Sequence, residues 1–148
     1  MIKGFIENIR DQATRLVGQY RNRDFLQACM AASVMVAQAD GIIEPSEKQK
    51  IFGYARHNDM LQVFDFEDVQ KELERFSRAY EFDFELGKQD TMHKLSQLTR
   101  AMDAEQRKCI MLVALAVGKA SQDFDDKEKA VAREIRGVLH LSSDEFPI

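Results

Sequence analysis

Two stretches of this chain are apolar on nearly every side of a helix, and this feature constrains the fold more than any other. The first covers residues 25–39, and the second surrounds the run from Cys109 to Val117. A helix that is hydrophobic all round must be enclosed by other elements. Nearly all the remaining segments have a helical period, and no stretch alternates as a strand does for more than a few residues. We therefore expect an all-α helical bundle.

Periodicity and capping residues divide the chain into about seven helices. Pro45 suits the first position of a helix, because its missing N–H would be unpaired there in any case. Asp65 or Glu67, Asp83 and Asp103 each stand where a helix begins. The predicted limits are 2–18, 25–39, 45–57, 65 or 67 to 79, 84–99, 104–120 and 126–139, followed by a short final turn.

Length and composition indicate one globular domain. The 148 residues suffice for a continuous core without disulfides, and the two cysteines are too few for a disulfide framework. The net charge of −4 argues against a general nucleic-acid-binding protein. The longest apolar run is about half a membrane span, and the N-terminus lacks the long apolar core of a secretion signal. We expect a soluble protein of the reducing cytoplasm.

The two apolar helices, each with the loop after it, form a degenerate internal repeat. Cys29 aligns with Cys109, and "ADGIIEPSE" aligns with "ASQDFDDKE". We predict one domain over 1–148 with pseudo-symmetric halves at about 20–64 and 100–148. In this interpretation 1–19 is an amphipathic N-terminal helix, and 65–99 holds connecting helices. If the apolar helices pack as a pair, their acidic loops come near each other.

The acidic loops have two interpretations, and the spacing of their residues leaves both open. Asp125 and Glu128 have the spacing of a capping box, and Glu47 fits a similar role. Capping does not explain Asp40, which precedes Gly41 at the negative end of a helix, where an acid is disfavoured. A cation would explain it, although neither loop has the ligand pattern of an EF-hand.

The pattern A-x-A-D-G-x-I-x-x-x-E at residues 37–47, with its degenerate repeat about 80 residues later, resembles the TerB family of tellurium-resistance proteins. The resemblance implies a compact helical protein in two pseudo-symmetric halves, whose acidic loop residues bind a divalent metal. It also implies work in a cytoplasmic stress complex that docks at a TerC-type partner in the inner membrane.

The candidate ligands follow from this resemblance. Asp40 and Glu47 match the family motif, whereas Ser121 and Gln122 stand where a second Asp-Gly would be, and the acids of that loop are shifted. The full candidate set is Asp40, Glu44, Glu47, Asp123, Asp125 and Glu128. Carboxylate oxygens suit Ca²⁺, Mg²⁺ or Mn²⁺.

Other chemistry has little support in the sequence. Cys29 and Cys109 have apolar neighbours, which indicates buried and inert thiols. The three histidines show no zinc-ligand spacing, and no phosphate loop or nucleophile motif occurs. We therefore expect no enzyme activity.

Charge is distributed unevenly along the chain. Residues 1–23 carry a net charge of +3, whereas residues 65–91 contain nine acids and four bases. A basic amphipathic helix can lie on an anionic membrane or meet an acidic partner, but its apolar face can equally be part of the core.

Two functions remain as alternatives at this stage. The first is a non-enzymatic, divalent-cation-binding scaffold of a cytoplasmic tellurium and stress-resistance complex. The second is a helical adaptor whose acidic loops only cap helices. An enzyme that acts on tellurite itself is the weakest hypothesis.

Overall fold

The centre of the fold is a helix that is buried on all sides. This helix, α1, runs Arg23–Ala37, and every residue from Phe25 to Val36 is buried. Asn22 caps its start, because the Asn22 side-chain oxygen accepts a hydrogen bond from the backbone N–H of Phe25 at 2.8 Å. The all-round apolar pattern of this segment thus predicted its central place.

The computed structural model describes residues 22–41, 45–57, 61–62, 64–117 and 125–148, without the side chains at 46, 47, 50, 54, 55 and 117. Five further helices follow α1: α2 (Pro45–His57), α3 (Phe66–Phe82), α4 (Phe84–Thr99), α5 (Ala104–Val117) and α6 (Asp126–Val138). These described ranges contain no strand, so the predicted all-α class is confirmed. The predicted helix over 2–18 lies outside the described residues.

The other helices enclose α1 and form one core. α1 contacts α3, α4, α5 and α6, while α2 packs on α3 and α5. α5 is the second apolar helix, and it is buried continuously from Cys109 to Ala116. Cys29 and Cys109 are both fully buried, as the sequence predicted. Within the described helices, none combines the length and the apolar character that crossing a membrane requires.

A tight corner joins α3 to α4. Asp83 lies between the two helices, and its carboxylate accepts a hydrogen bond from the N–H of Leu86 at 2.9 Å. Gly87, in the first turns of α4, packs directly on the backbone of Ala79 and Tyr80. A side chain at position 87 would collide with this backbone, so glycine sets how closely the two helices approach.

The predicted limits match the structure closely for α2, α4 and the starts of α5 and α6. α3 is longer than predicted and ends at Phe82. α1 ends at Ala37, two residues before its predicted limit. Its last turn tightens, because Ala39 N–H bonds to the carbonyl of Val36 and Gly41 N–H to that of Gln38. The helix ends before Asp40 for this reason.

Candidate metal centre

Asp40 lies in the turn that follows α1 and not in the last turn of the helix. The turn depends on Gly41, whose φ of +126° is a conformation that other residues rarely adopt. Asp40 is exposed. The sequence predicts this acid at the negative end of a helix, and in the structure it lies just beyond Ala37, where α1 ends.

Asp125 and Glu128 form the start of α6. The Asp125 carboxylate accepts a hydrogen bond from the N–H of Glu128 at 2.8 Å, and the Glu128 carboxylate accepts one from the N–H of Asp125 at 3.1 Å. This is the reciprocal capping box that the sequence predicted. The box engages one oxygen of each carboxylate and fixes the orientation of both side chains.

The packing of α1 against α6 brings these two ends together. Asp40, Asp125 and Glu128 each present a carboxylate oxygen, and the three oxygens lie within 4.8 Å of one another. Asp40 and Asp125 are exposed, whereas Glu128 is buried. We call these three residues the acidic cluster.

The acidic cluster changes the protonation of Asp40. A hydrogen bond between the Asp40 and Asp125 carboxyl groups, partial burial, and the negative charges of Asp125 and Glu128 together raise the pKa of Asp40 above its ordinary value. The positive charge of Lys127 opposes these effects in part. Because crowded carboxylates repel one another, either a proton or a cation between them relieves the repulsion.

The remaining predicted ligands cannot be placed in this geometry. Glu44 and Asp123 lie outside the described residues. Glu47 is in the first turn of α2, but its side chain lies outside the description as well. Sequence reasoning did not single out Lys127, although its place between Asp125 and Glu128 indicated that it would lie close to both.

The arrangement of oxygens fits a hard cation. Three carboxylates can offer several oxygen ligands in one place, and Ca²⁺ and Mg²⁺ prefer such ligands. Capping alone explains the placement of Asp125 and Glu128. It leaves unexplained why Asp40, from another part of the chain, lies beside both of them.

Comparison with known proteins gives two matches. Residues 26–147 match the family described as "Tellurite resistance protein TerB". The chain is similar to a protein of Alcaligenes sp named "Tellurium resistance protein TerB", with 33% identity over 117 residues. These residues are 79% of this chain and 91% of the relative. No solved structure matches the chain.

Proposed function

Because the chain belongs to the TerB family, we propose that it is a non-enzymatic, divalent-cation-binding scaffold of a tellurium and stress-resistance complex. The observation that carries this proposal is the acidic cluster, in which Asp40 meets Asp125 and Glu128 across two helix ends. The family match agrees with the resemblance of the motif at residues 37–47 to the TerB family. The printed names of the family and of the relative both state tellurium or tellurite resistance.

A cation would remove the electrostatic cost of the acidic cluster. Three charges within 4.8 Å repel one another, and the raised pKa of Asp40 reflects this repulsion together with its hydrogen bond to Asp125. A bound ion would also interact favourably with the negative end of α1, beside which Asp40 lies. Hard oxygen ligands favour Ca²⁺, Mg²⁺ or Mn²⁺ over softer ions.

Further ligands would complete the coordination. Ca²⁺ takes about six to eight oxygens and Mg²⁺ about six, which is more than three carboxylates supply unless they bind through both oxygens. We propose that Glu44, Glu47 and Asp123 contribute the others, together with water. All three lie within seven residues of Asp40 or Asp125 in the sequence.

The scaffold would work through protein contacts in the cytoplasm. We propose a complex that docks at a TerC-type membrane protein and contacts the membrane surface through the basic N-terminal segment. What supports this part is the family and the charge of +3 on residues 1–23. The net charge of −4 supports partners other than nucleic acid.

One observation favours the adaptor as the second candidate. The capping box accounts for Asp125 and Glu128 without an ion, and an acid near the positive end of α6 is favourable by itself. In an adaptor, a shared proton would be enough to hold Asp40 beside Asp125.

Cation-dependent stability separates the two candidates. The purified full chain is stripped of metal, and its thermal unfolding is followed during titration with Ca²⁺, Mg²⁺, Mn²⁺ and Zn²⁺. A cation that binds only the folded state adds about 2.7 kcal/mol at a hundredfold excess over its dissociation constant. Asp40→Asn keeps the size of the side chain and removes its charge, so this variant should lose most of the added stability.

A matched control comes from the same chain. Asp90→Asn removes an exposed charge from α4, and this residue is not part of the acidic cluster. The variant should keep the full response to the cation. If none of the four ions stabilises the wild-type chain at millimolar concentration, or if Asp40→Asn responds as the wild type does, the scaffold proposal fails and the adaptor remains.

A further inference from the structure

The corner between α3 and α4 exposes two large apolar side chains. Phe82, the last residue of α3, is 87% exposed, and Leu86, in the first turn of α4, is 52% exposed. Within the described part of the chain, no other large apolar side chain is exposed to this extent. Apolar residues that are exposed together and have a polar rim are typical of contact sites. We call Phe82, Asp83, Glu85 and Leu86 the corner patch.

The core uses Phe84 and not Phe82. Phe84 packs against the core, and its ring lies 5.3 Å from the ring of the buried Tyr80, edge to face. Burial therefore explains a phenylalanine at position 84. At position 82 folding gains little from one, because an apolar side chain stabilises a protein by leaving water. A surface that covers Phe82 would explain this residue.

The corner patch carries a surplus of negative charge. Residues 81–90 contain four acids and one base, and the base, Lys88, pairs with Glu134 at 3.4 Å. Asp83 and Glu85 are exposed, and neither takes part in an ion pair with another described residue. A surface that combines apolar side chains with bases is therefore complementary to the corner patch. A second corner patch or an anionic membrane would be repelled.

The corner patch is held in place from several sides. Gly87 packs directly on the backbone of α3, and the Asp83 carboxylate accepts a hydrogen bond from the N–H of Leu86 at 2.9 Å. Glu81, next to Phe82, pairs with Lys48 of α2 at 3.2 Å. A surface that is already fixed loses little conformational freedom when another segment binds to it.

The first 21 residues of this chain have the complementary chemistry. They contain four bases and two acids, a net charge of +2. Ile2, Phe5, Ile6 and Ile9 recur with helical spacing and would form one apolar stripe. The segment 1–21 therefore offers both the apolar surface and the positive charge that the corner patch lacks.

The segment is also long enough to reach the corner patch. Asn22, where the described part of the chain begins, lines the same cavity as Asp68, so α1 and α3 start side by side. From Asp68 to Phe82, 14 positions further on (82 − 68), α3 rises by about 21 Å. A helix over residues 2–18 would span about 25 Å. A segment that turns back before Asn22 and follows α3 would bring its first turns to the corner.

We propose that residues 1–21 dock on the corner patch of the same chain. The apolar stripe covers Phe82 and Leu86, and Lys3 or Arg10 lies beside the exposed acids. The docking requires neither the acidic cluster nor the scaffold function proposed above. The proposed membrane contact uses the same segment, so an anionic membrane surface would compete with the corner patch for it.

Limited digestion of the full chain with trypsin tests the proposal. Trypsin cuts after Lys3, Arg10 and Arg15, and docking should slow these cuts, because cleavage requires the undocked form. Phe82→Gln should make them about tenfold faster, the change expected when the burial of one large apolar side chain is lost. The fragments are followed by mass spectrometry of the intact chain. Circular dichroism confirms that the variant, which alters an exposed residue, keeps its helices.

A pair of charge variants provides a matched comparison. Glu85 and Glu105 are exposed acids in the first turns of α4 and α5, and Glu105 lies beyond the far end of α4 from the corner patch. Glu85→Gln should accelerate the cuts, whereas Glu105→Gln should leave their rates unchanged. Equal rates in the wild type, Phe82→Gln and Glu85→Gln would overturn the proposal. So would an equal acceleration in Glu85→Gln and Glu105→Gln.

Carbodiimide coupling gives an independent readout of the contact. This reagent joins an amine to a carboxylate that touches it, so Lys3 should become linked to Asp83 or Glu85. Isotopically labelled and unlabelled full chains are mixed before coupling, and the linked peptides should come from one chain. Links between labelled and unlabelled chains would assign the contact to a second copy and overturn the proposal. Links of Lys3 to other acids alone would also overturn it.

Discussion

Replacing Gly87 with Ala tests the corner between α3 and α4. A Cβ atom at this position would lie 2.4 Å from the carbonyl oxygen of Ala79 and 2.6 Å from the Cα of Tyr80. Ordinary contacts of a Cβ begin at 3.4 Å, so the closest contact is about 1 Å too short. Because the obstructing atoms are backbone, a side-chain rotation cannot relieve the collision, and the two helices must move apart.

The expected loss follows from two opposing effects. Overpacking of this kind costs about 1–3 kcal/mol, and the upper end applies when backbone must shift. Alanine in place of glycine stabilises a helix by about 0.8–1 kcal/mol. We therefore expect Gly87→Ala to lower the free energy of unfolding by about 2 kcal/mol, or the melting temperature by roughly 4–8 °C in a domain of this size.

Gly53→Ala is the matched control, because it makes the same replacement in α2. Nothing lies within 4 Å of a Cβ at position 53, and the residue is exposed. Only the greater helix propensity of alanine acts there, so the free energy of unfolding of this variant should rise by about 0.5–1 kcal/mol. Urea and thermal denaturation, followed by circular dichroism, measure the stability of both variants. If Gly87→Ala is as stable as Gly53→Ala, the close approach of α3 and α4 described here is wrong.

Two further predictions concern the thiols and the acidic cluster. Cys29→Ala and Cys109→Ala should each lower the free energy of unfolding by roughly 1 kcal/mol and leave the tellurite resistance of cells intact. In the native protein both thiols should react slowly with a thiol reagent, because burial raises the pKa of each, that of Cys109 to about 12. Folding raises the pKa of Asp40 above its ordinary value of 3.8. The folded state therefore binds this proton more tightly than the unfolded state, which adds to the free energy of unfolding. This contribution is fully present below pH 3.8 and is lost as the pH rises through the pKa of the folded state. Without metal, the free energy of unfolding in urea should decline across this pH range in the wild type and not in Asp40→Asn. Equal profiles would contradict a raised pKa of Asp40.

Local signals in the sequence predict the helices well. Pro45 and Asp83 mark helix starts through backbone chemistry that involves only neighbouring residues, and α2 and α4 have the predicted limits. The burial of Cys29 and Cys109 also follows from their immediate neighbours, because a helix that is apolar on all sides has to be enclosed. The division into pseudo-symmetric halves stays a prediction.

The end of a helix is harder to predict than its start. The predicted limit of α1 lies two residues beyond the observed one, because Ala39 and Gly41 form tighter hydrogen bonds that do not continue the α-helix. The spacing of Asp125 and Glu128 predicted their capping box, since both partners belong to one helix turn. Whether the six candidate acids bind a cation stays a prediction.

The sequence by itself determined which of the described segments are helices, where most of them begin, and which two must lie in the core, because these properties depend on residues within a few turns of one another. Only the tertiary structure decided which acids meet. Asp40 and Asp125 are 85 positions apart (125 − 40), and no local pattern fixes the angle at which α1 and α6 pack. Distances between side chains of different helices are set by the packing of the whole core.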